Sequence, residues 1–96
     1  MKKEDLTITE TFALALQHHQ KSNFQAAEQL YKQILEIEPD HIETNFRLGS
    51  LLVQTRNFDT AQQLLNKVIQ IDPNHAKANN NLGIAFQKMK KNQEAI

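Results

Sequence analysis

The chain repeats itself at a fixed spacing of 34 residues, and no other feature constrains its fold as tightly. Ile8, Phe12, Leu14, Gln20, Asn23, Phe24, Ala27, Leu30, Ile37, Pro39 and His41 return as Ile42, Phe46, Leu48, Gln54, Asn57, Phe58, Ala61, Leu64, Ile71, Pro73 and His75, with no gap. A third copy opens with Asn79, Leu82 and Gly83, which answer Asn45, Leu48 and Gly49, and Ala95 answers Ala61. A period between 20 and 50 residues is the mark of a solenoid, in which each unit buries its apolar face on its neighbours.

Within each period the apolar spacing is helical. Ala27, Leu30, Tyr31, Ile34 and Leu35 fall at i, i+3, i+4, i+7 and i+8, which rules out the alternation of a half-buried strand. The reading is five helices and the start of a sixth. Thr7 to Glu10 forms a capping box that opens helix 1, which runs to about Lys21. Asn23 and Asn57 are read as N-caps of helices 2 and 4. Pro39 and Pro73 stop those helices, because a residue before proline is pushed out of the helical region. Asp40, with Glu43 three residues on, is expected to cap helix 3, and Asn74 helix 5. A new helix is expected from about Asn92. The short loops imply antiparallel neighbours.

Charge and composition exclude several function classes. Eleven basic and eleven acidic residues cancel, which argues against a nucleic-acid surface. Cysteine is absent, so there is no disulfide framework and no thiolate metal site; a cytoplasmic location is the expectation. Glu4 and Asp5 interrupt any leader-like start, and no apolar run approaches the length of a membrane span. No catalytic or cofactor-binding constellation stands out. His18 and His19 point about 100° apart on a helix and so do not make an i, i+4 metal pair. His41 and His75 read as turn residues, and His18 as a core packing residue with one ring nitrogen hydrogen-bonded.

The repeat resembles the tetratricopeptide repeat, whose pattern is W-x2-L-G-x2-Y, then A-x3-F, then P, over 34 residues. The second copy matches with Asn45-x2-Leu48-Gly49-x2-Leu52, Ala61-x3-Leu65 and Pro73. The first reads Thr11-x2-Leu14-Ala15-x2-His18, Ala27-x3-Tyr31 and Pro39. The third reads Asn79-x2-Leu82-Gly83-x2-Phe86. The tryptophan slot therefore holds Thr11, Asn45 and Asn79, a polar corner. Gly49, Gly83, Ala15, Ala27 and Ala61 sit where paired helices should cross closely. A bulky residue there would overpack the contact by about 1–3 kcal/mol.

The resemblance implies an all-α, right-handed superhelical solenoid of antiparallel helix-turn-helix units. It divides the chain into a flexible terminus over residues 1–6, repeats over 7–41 and 42–75, and a partial repeat over 76–96. It implies a non-catalytic module that binds a protein or peptide partner, with no cofactor, nucleic acid or membrane. The partner would lie on a concave face lined by the first helix of each repeat, and Phe12, Leu16, His19, Phe46, Arg47, Ser50, Lys77, Asn80, Asn81 and Ile84 are its expected contacts. On this reading Phe46→Ala and Arg47→Glu weaken binding without unfolding the chain. The carboxylate-clamp pattern of some members is not matched, since only Lys77 occupies its slot. Two alternatives are a docking arm on a larger glycosyltransferase or methyltransferase, and a module that self-associates through an exposed C-terminal repeat.

Overall fold

The computed structural model describes residues 7–94 as five α-helices: α1 (Ile8–Gln20), α2 (Phe24–Ile37), α3 (Ile42–Gln54), α4 (Phe58–Ile71) and α5 (Ala76–Glu94). The expected flexible terminus over residues 1–6 lies outside the described residues, as does Ala95. Helices pack in chain order, α1 on α2, α3 on α4, with α3 also meeting α2 and α5. The result is an elongated body of 54 × 28 × 18 Å. This is the all-α solenoid of helical hairpins that the 34-residue period predicts.

Each hairpin closes where small residues let two helices approach. Ala15 of α1 and Ala27 of α2 are fully buried in one core cluster, with Tyr31, Leu48, Leu51, Leu52 and Ala61. At Gly49 the neighbouring helix is so close that a Cβ would stand 2.9 Å from Cγ and Cδ2 of Leu65. A second cluster joins Phe46 of α3 to Leu65 and Val68 of α4 and Ala78 of α5. The core is therefore two adjoining clusters, the first reaching from α1 to α4 and the second from α3 to α5.

The helix starts follow the sequence at one end and depart from it at the others. At α1 the capping box is present, with Glu10 N–H donating to Thr7 Oγ1 at 3.0 Å and Thr7 N–H to Glu10 Oε1 at 3.0 Å. Asn23 and Asn57 occupy the N-cap positions of α2 and α4, but neither side chain caps. Asn23 Nδ2 lies 3.4 Å from His18 Nδ1 instead, and Asn57 Nδ2 donates to Thr55 Oγ1. The caps of α3 and α5 are not Asp40 and Asn74 but the histidines that follow them. His41 Nδ1 accepts from Thr44 N–H at 3.2 Å and from the Thr44 hydroxyl at 2.7 Å. His75 Nδ1 accepts from Ala78 N–H at 3.0 Å. Asp40 is left free to accept from Lys67 Nζ at 3.1 Å. An imidazole nitrogen can serve where a carboxylate usually does, because the orphan N–H groups of a first turn need only an acceptor in reach.

The polar corner at the tryptophan slot has a structural task. Asn45 is 1 % exposed, and its Nδ2 donates to the carbonyls of Pro39 and His41, both at 3.0 Å. Asn79 repeats this on Pro73 at 3.3 Å and His75 at 3.1 Å, at an exposed site. Each amide thus latches its helix to the turn that precedes it. Asn45→Ala removes the amide donor to the Pro39 carbonyl and one of the two donors to the His41 carbonyl, which keeps the Asn45 N–H, and, with the buried side chain lost, should cost about 1–3 kcal/mol. Asn79→Ala, where water replaces the amide, should cost less than about 1 kcal/mol. Urea denaturation of the two variants checks the contrast.

The expected break near Asn92 does not occur: α5 continues through Glu94. At the corresponding breaks, Ser22 and Arg56 adopt left-handed φ of 64° and 67°, and Asn23 and Asn57 follow them. The third copy has Lys90, Lys91 and Asn92 there, and neither the Asn nor the anchoring Phe24 or Phe58 recurs in place. Lysine favours the helix interior, so nothing stops the helix. One consequence concerns Gly83, expected as a packing glycine. A Cβ there meets nothing within 4 Å, since among the described residues no helix lies against it as α4 lies against Gly49.

Candidate functional site

The first helices of successive repeats, α1, α3 and α5, are tied to one another by side-chain hydrogen bonds along one face. His19 on α1 lies 2.6 Å through Nε2 from Oε1 of Gln54 on α3, and 3.1 Å through Nδ1 from the Tyr31 hydroxyl on α2. All three groups are satisfied when Nε2–H donates to Gln54 and Tyr31 donates to Nδ1. The His19 ring also meets Phe24 and Tyr31 edge-on, at centroid distances of 5.8 and 5.9 Å. One repeat on, Asn81 Nδ2 on α5 donates to Ser50 Oγ on α3 at 2.6 Å, and Ser50 donates to the Phe46 carbonyl at 2.9 Å. These bridges put His19, Ser50, Gln54 and Asn81 on a common strip.

One turn before Ser50 stands Arg47. Its guanidinium lies 5.5 Å from the centroid of the Phe46 ring, and its Nε is 3.9 Å from Oε2 of Glu43. That Nε is buried without a hydrogen bond, although over a third of the side chain is exposed. Phe12, Leu16, Val53 and Ile84 are half-buried; Lys77 and Asn80 are exposed.

Two residues sit differently from expectation. Phe46 is 6 % exposed and belongs to the core with Leu65, Val68 and Ala78. The His75 ring covers it at a centroid distance of 4.8 Å. A side chain so enclosed is not a surface that a partner reaches, and Phe46→Ala probes folding before it probes binding. Its repeat equivalent Phe12 is covered less, by Tyr31 at 6.1 Å and His41 at 6.0 Å. The histidine pair also exchanges roles. His18, expected in the core, is half-buried beside Asn23, whereas His19 is the one that joins three helices.

Tyr31 lies fully buried under this strip. Burial pushes its hydroxyl up to about 12; Arg47 opposes the shift and Glu43 adds to it. An unfolded tyrosine ionises near 10. The stabilisation from keeping Tyr31 neutral is therefore complete below about pH 10 and is lost as pH rises toward about 12. Stability measured across that window should fall more steeply for the wild type than for Tyr31→Phe.

Among the described residues no three histidine or carboxylate side chains are grouped to hold a metal ion, and no helix is long and apolar enough to cross a membrane. A separate hollow of about 340 Å³ lies between α2 and α4, where Leu48 and Leu52 form the floor and Glu28, Lys32, Asn57 and Thr60 part of the rim.

The fold has close counterparts among solved structures. A double mutant of MamA RS-1 superposes with a TM-score of 0.84 at 20 % identity, covering 97 % of this chain and 51 % of that one. A crystal structure of MamA gives 0.81 at 26 % identity over 90 % of this chain and 47 % of that one. A tetratricopeptide repeat domain protein from Salinibacter ruber gives 0.64 at 22 % identity over 84 % of this chain and 90 % of the other. The chain thus spans about half the length of these MamA proteins. No protein of curated function matches the sequence. Two models of the tetratricopeptide repeat match, one over residues 18–79 and the other over residues 64–96. With the period, the helical hairpins and these matches in agreement, the chain belongs to the tetratricopeptide repeat family.

Proposed function

We propose that the chain is a non-catalytic protein-interaction module that holds a peptide segment of a partner along the strip formed by α1, α3 and α5. The observation that carries this reading is the make-up of the strip. Half-buried Phe12, Leu16, Val53 and Ile84 alternate with amide, hydroxyl and guanidinium groups that are anchored from below. Apolar surface supplies affinity, and fixed polar groups supply register, which is the usual division of labour in peptide recognition. Arg47, whose side chain is over a third exposed, is placed to donate a hydrogen bond to a partner. His19 and Ser50 act as supports of the strip, and Lys77, Asn80 and Asn81 as its polar edge.

The test starts from peptides selected out of a random library on the immobilised chain. Arg47→Glu should weaken their binding at least about tenfold, roughly 1.4 kcal/mol, while the melting temperature stays near that of the wild type. Ile84→Lys should do the same. Peptides that bind both variants as tightly as the wild type would show that the strip is not the binding surface.

A further inference from the structure

The two ends of the solenoid are complementary. At the α1 end Leu14 is 37 % exposed, on an open face of the helix that it shares with Glu10, Ala13 and Gln17. At the α5 end Phe86 is 52 % exposed, one turn from Gly83, beside which there is open space. Inside the solenoid the same repeat positions are covered. Leu48, equivalent to Leu14, is 2 % exposed; Leu52, equivalent to Phe86, is 3 % exposed; Gly49, equivalent to Gly83, receives Leu65.

Charge separates along the long axis in the same sense. From residue 7 to Phe46 six acidic residues stand against two basic ones, and from Arg47 to residue 94 seven basic against three acidic. Glu10 precedes Leu14 by one turn on α1, and Lys90 follows Phe86 by one turn on α5.

We infer that the 96-residue chain binds a second copy of itself head to tail, with α1 of one copy docked on the Gly83–Phe86 face of α5 of the other. Leu14 takes at Gly83 the seat that Leu65 takes at Gly49, and Phe86 packs on the α1 face beside Leu14. At the contact Glu10 of one copy meets Lys90 of the other, and the net acidic half of the chain faces the net basic half, which fixes the direction: two α5 ends would set lysine against lysine. Such a contact joins two different surfaces, so each copy keeps one free end of each kind, and assembly continues until it closes or the ends run out. Neither end forms part of the strip along α1, α3 and α5, so the inference stands or falls apart from the peptide-binding reading.

Sedimentation of the 96-residue chain over a range of concentrations tests it. The mass should rise with concentration, and the association should weaken about tenfold or more from low to high salt, because opposed surface charges are screened. Leu14→Lys and Phe86→Lys change exposed side chains, and circular dichroism should report both as folded. Each alone should remain monomeric. Mixed, they should form a one-to-one dimer and nothing larger, since one retains the α5 face and the other the α1 face. A wild type that stays monomeric at every concentration overturns the inference. So does association that survives Leu14→Lys but not Phe86→Lys, which would mean α5 pairing with α5, and so does association that survives both.

Discussion

Phe46→Ala should lower the stability of the chain by about 3–5 kcal/mol, the largest loss expected from any single truncation of this core. The ring is enclosed by Leu65 and Val68 of α4, Ala78 of α5 and the His75 imidazole, so it couples the second hairpin to the helix that follows. Removing it leaves a cavity that α5 can fill only by shifting. Its interior anchors are Ala78 and Ala85, both small. A domain of this size has about 5–15 kcal/mol in all, so the loss is a large share of the total. Urea denaturation should show it, with α5 amides losing hydrogen-exchange protection first. Phe12→Ala, at the equivalent but less enclosed position, should cost visibly less.

The second large effect is Gly49→Leu, set against Gly83→Leu. At Gly49 a Cβ already stands 2.9 Å from two atoms of Leu65, before the rest of a leucine side chain is placed. Leu65 is fully buried and cannot swing away. Overpacking of this kind costs about 1–3 kcal/mol, and more where a helix must move bodily. Gly83 has the same sequence context and the opposite surroundings. There, within one chain, the substitution meets no atom within 4 Å, and at protein concentrations low enough to keep the chain monomeric it should stabilise the helix by up to about 1 kcal/mol through propensity alone. Melting temperatures should therefore move in opposite directions. A fall at both positions would contradict the packing described for α5.

The repeat makes most of the fold legible in the sequence. Identities at a constant offset place Pro39 and Pro73 at the turns and Ala27 and Ala61 at the crossings, and the small residues Ala15 and Gly49 answer each other there. What was not legible has one physical origin. A helical period orients a side chain about its own helix and says nothing of what the next helix does. Phe46 points toward the strip on such a projection, yet α5 and His75 close over it. His18 and His19 differ by one position, and only the path of α2 decides which of them meets Tyr31. The capping roles of His41 and His75 were hidden by Asp40 and Asn74, better cap formers by statistics, because the turn places the imidazole rather than the carboxylate or amide over the orphan N–H groups. Gly83 was read from its likeness to Gly49, but the local sequence of the third copy lacks the stop that would bring a partner helix onto it.

The amides of Asn45 and Asn79 reach back across the proline turns and hold the first helix of each repeat to the exit of the repeat before. The bend between one repeat and the next is therefore set at a joint, by an Asn, a Pro and a His that no partner need touch. Curvature in this molecule is written once per joint and multiplied by the number of joints. A small change of tilt at one joint redirects every helix beyond it, so the pitch of the superhelix is set by residues of the turns.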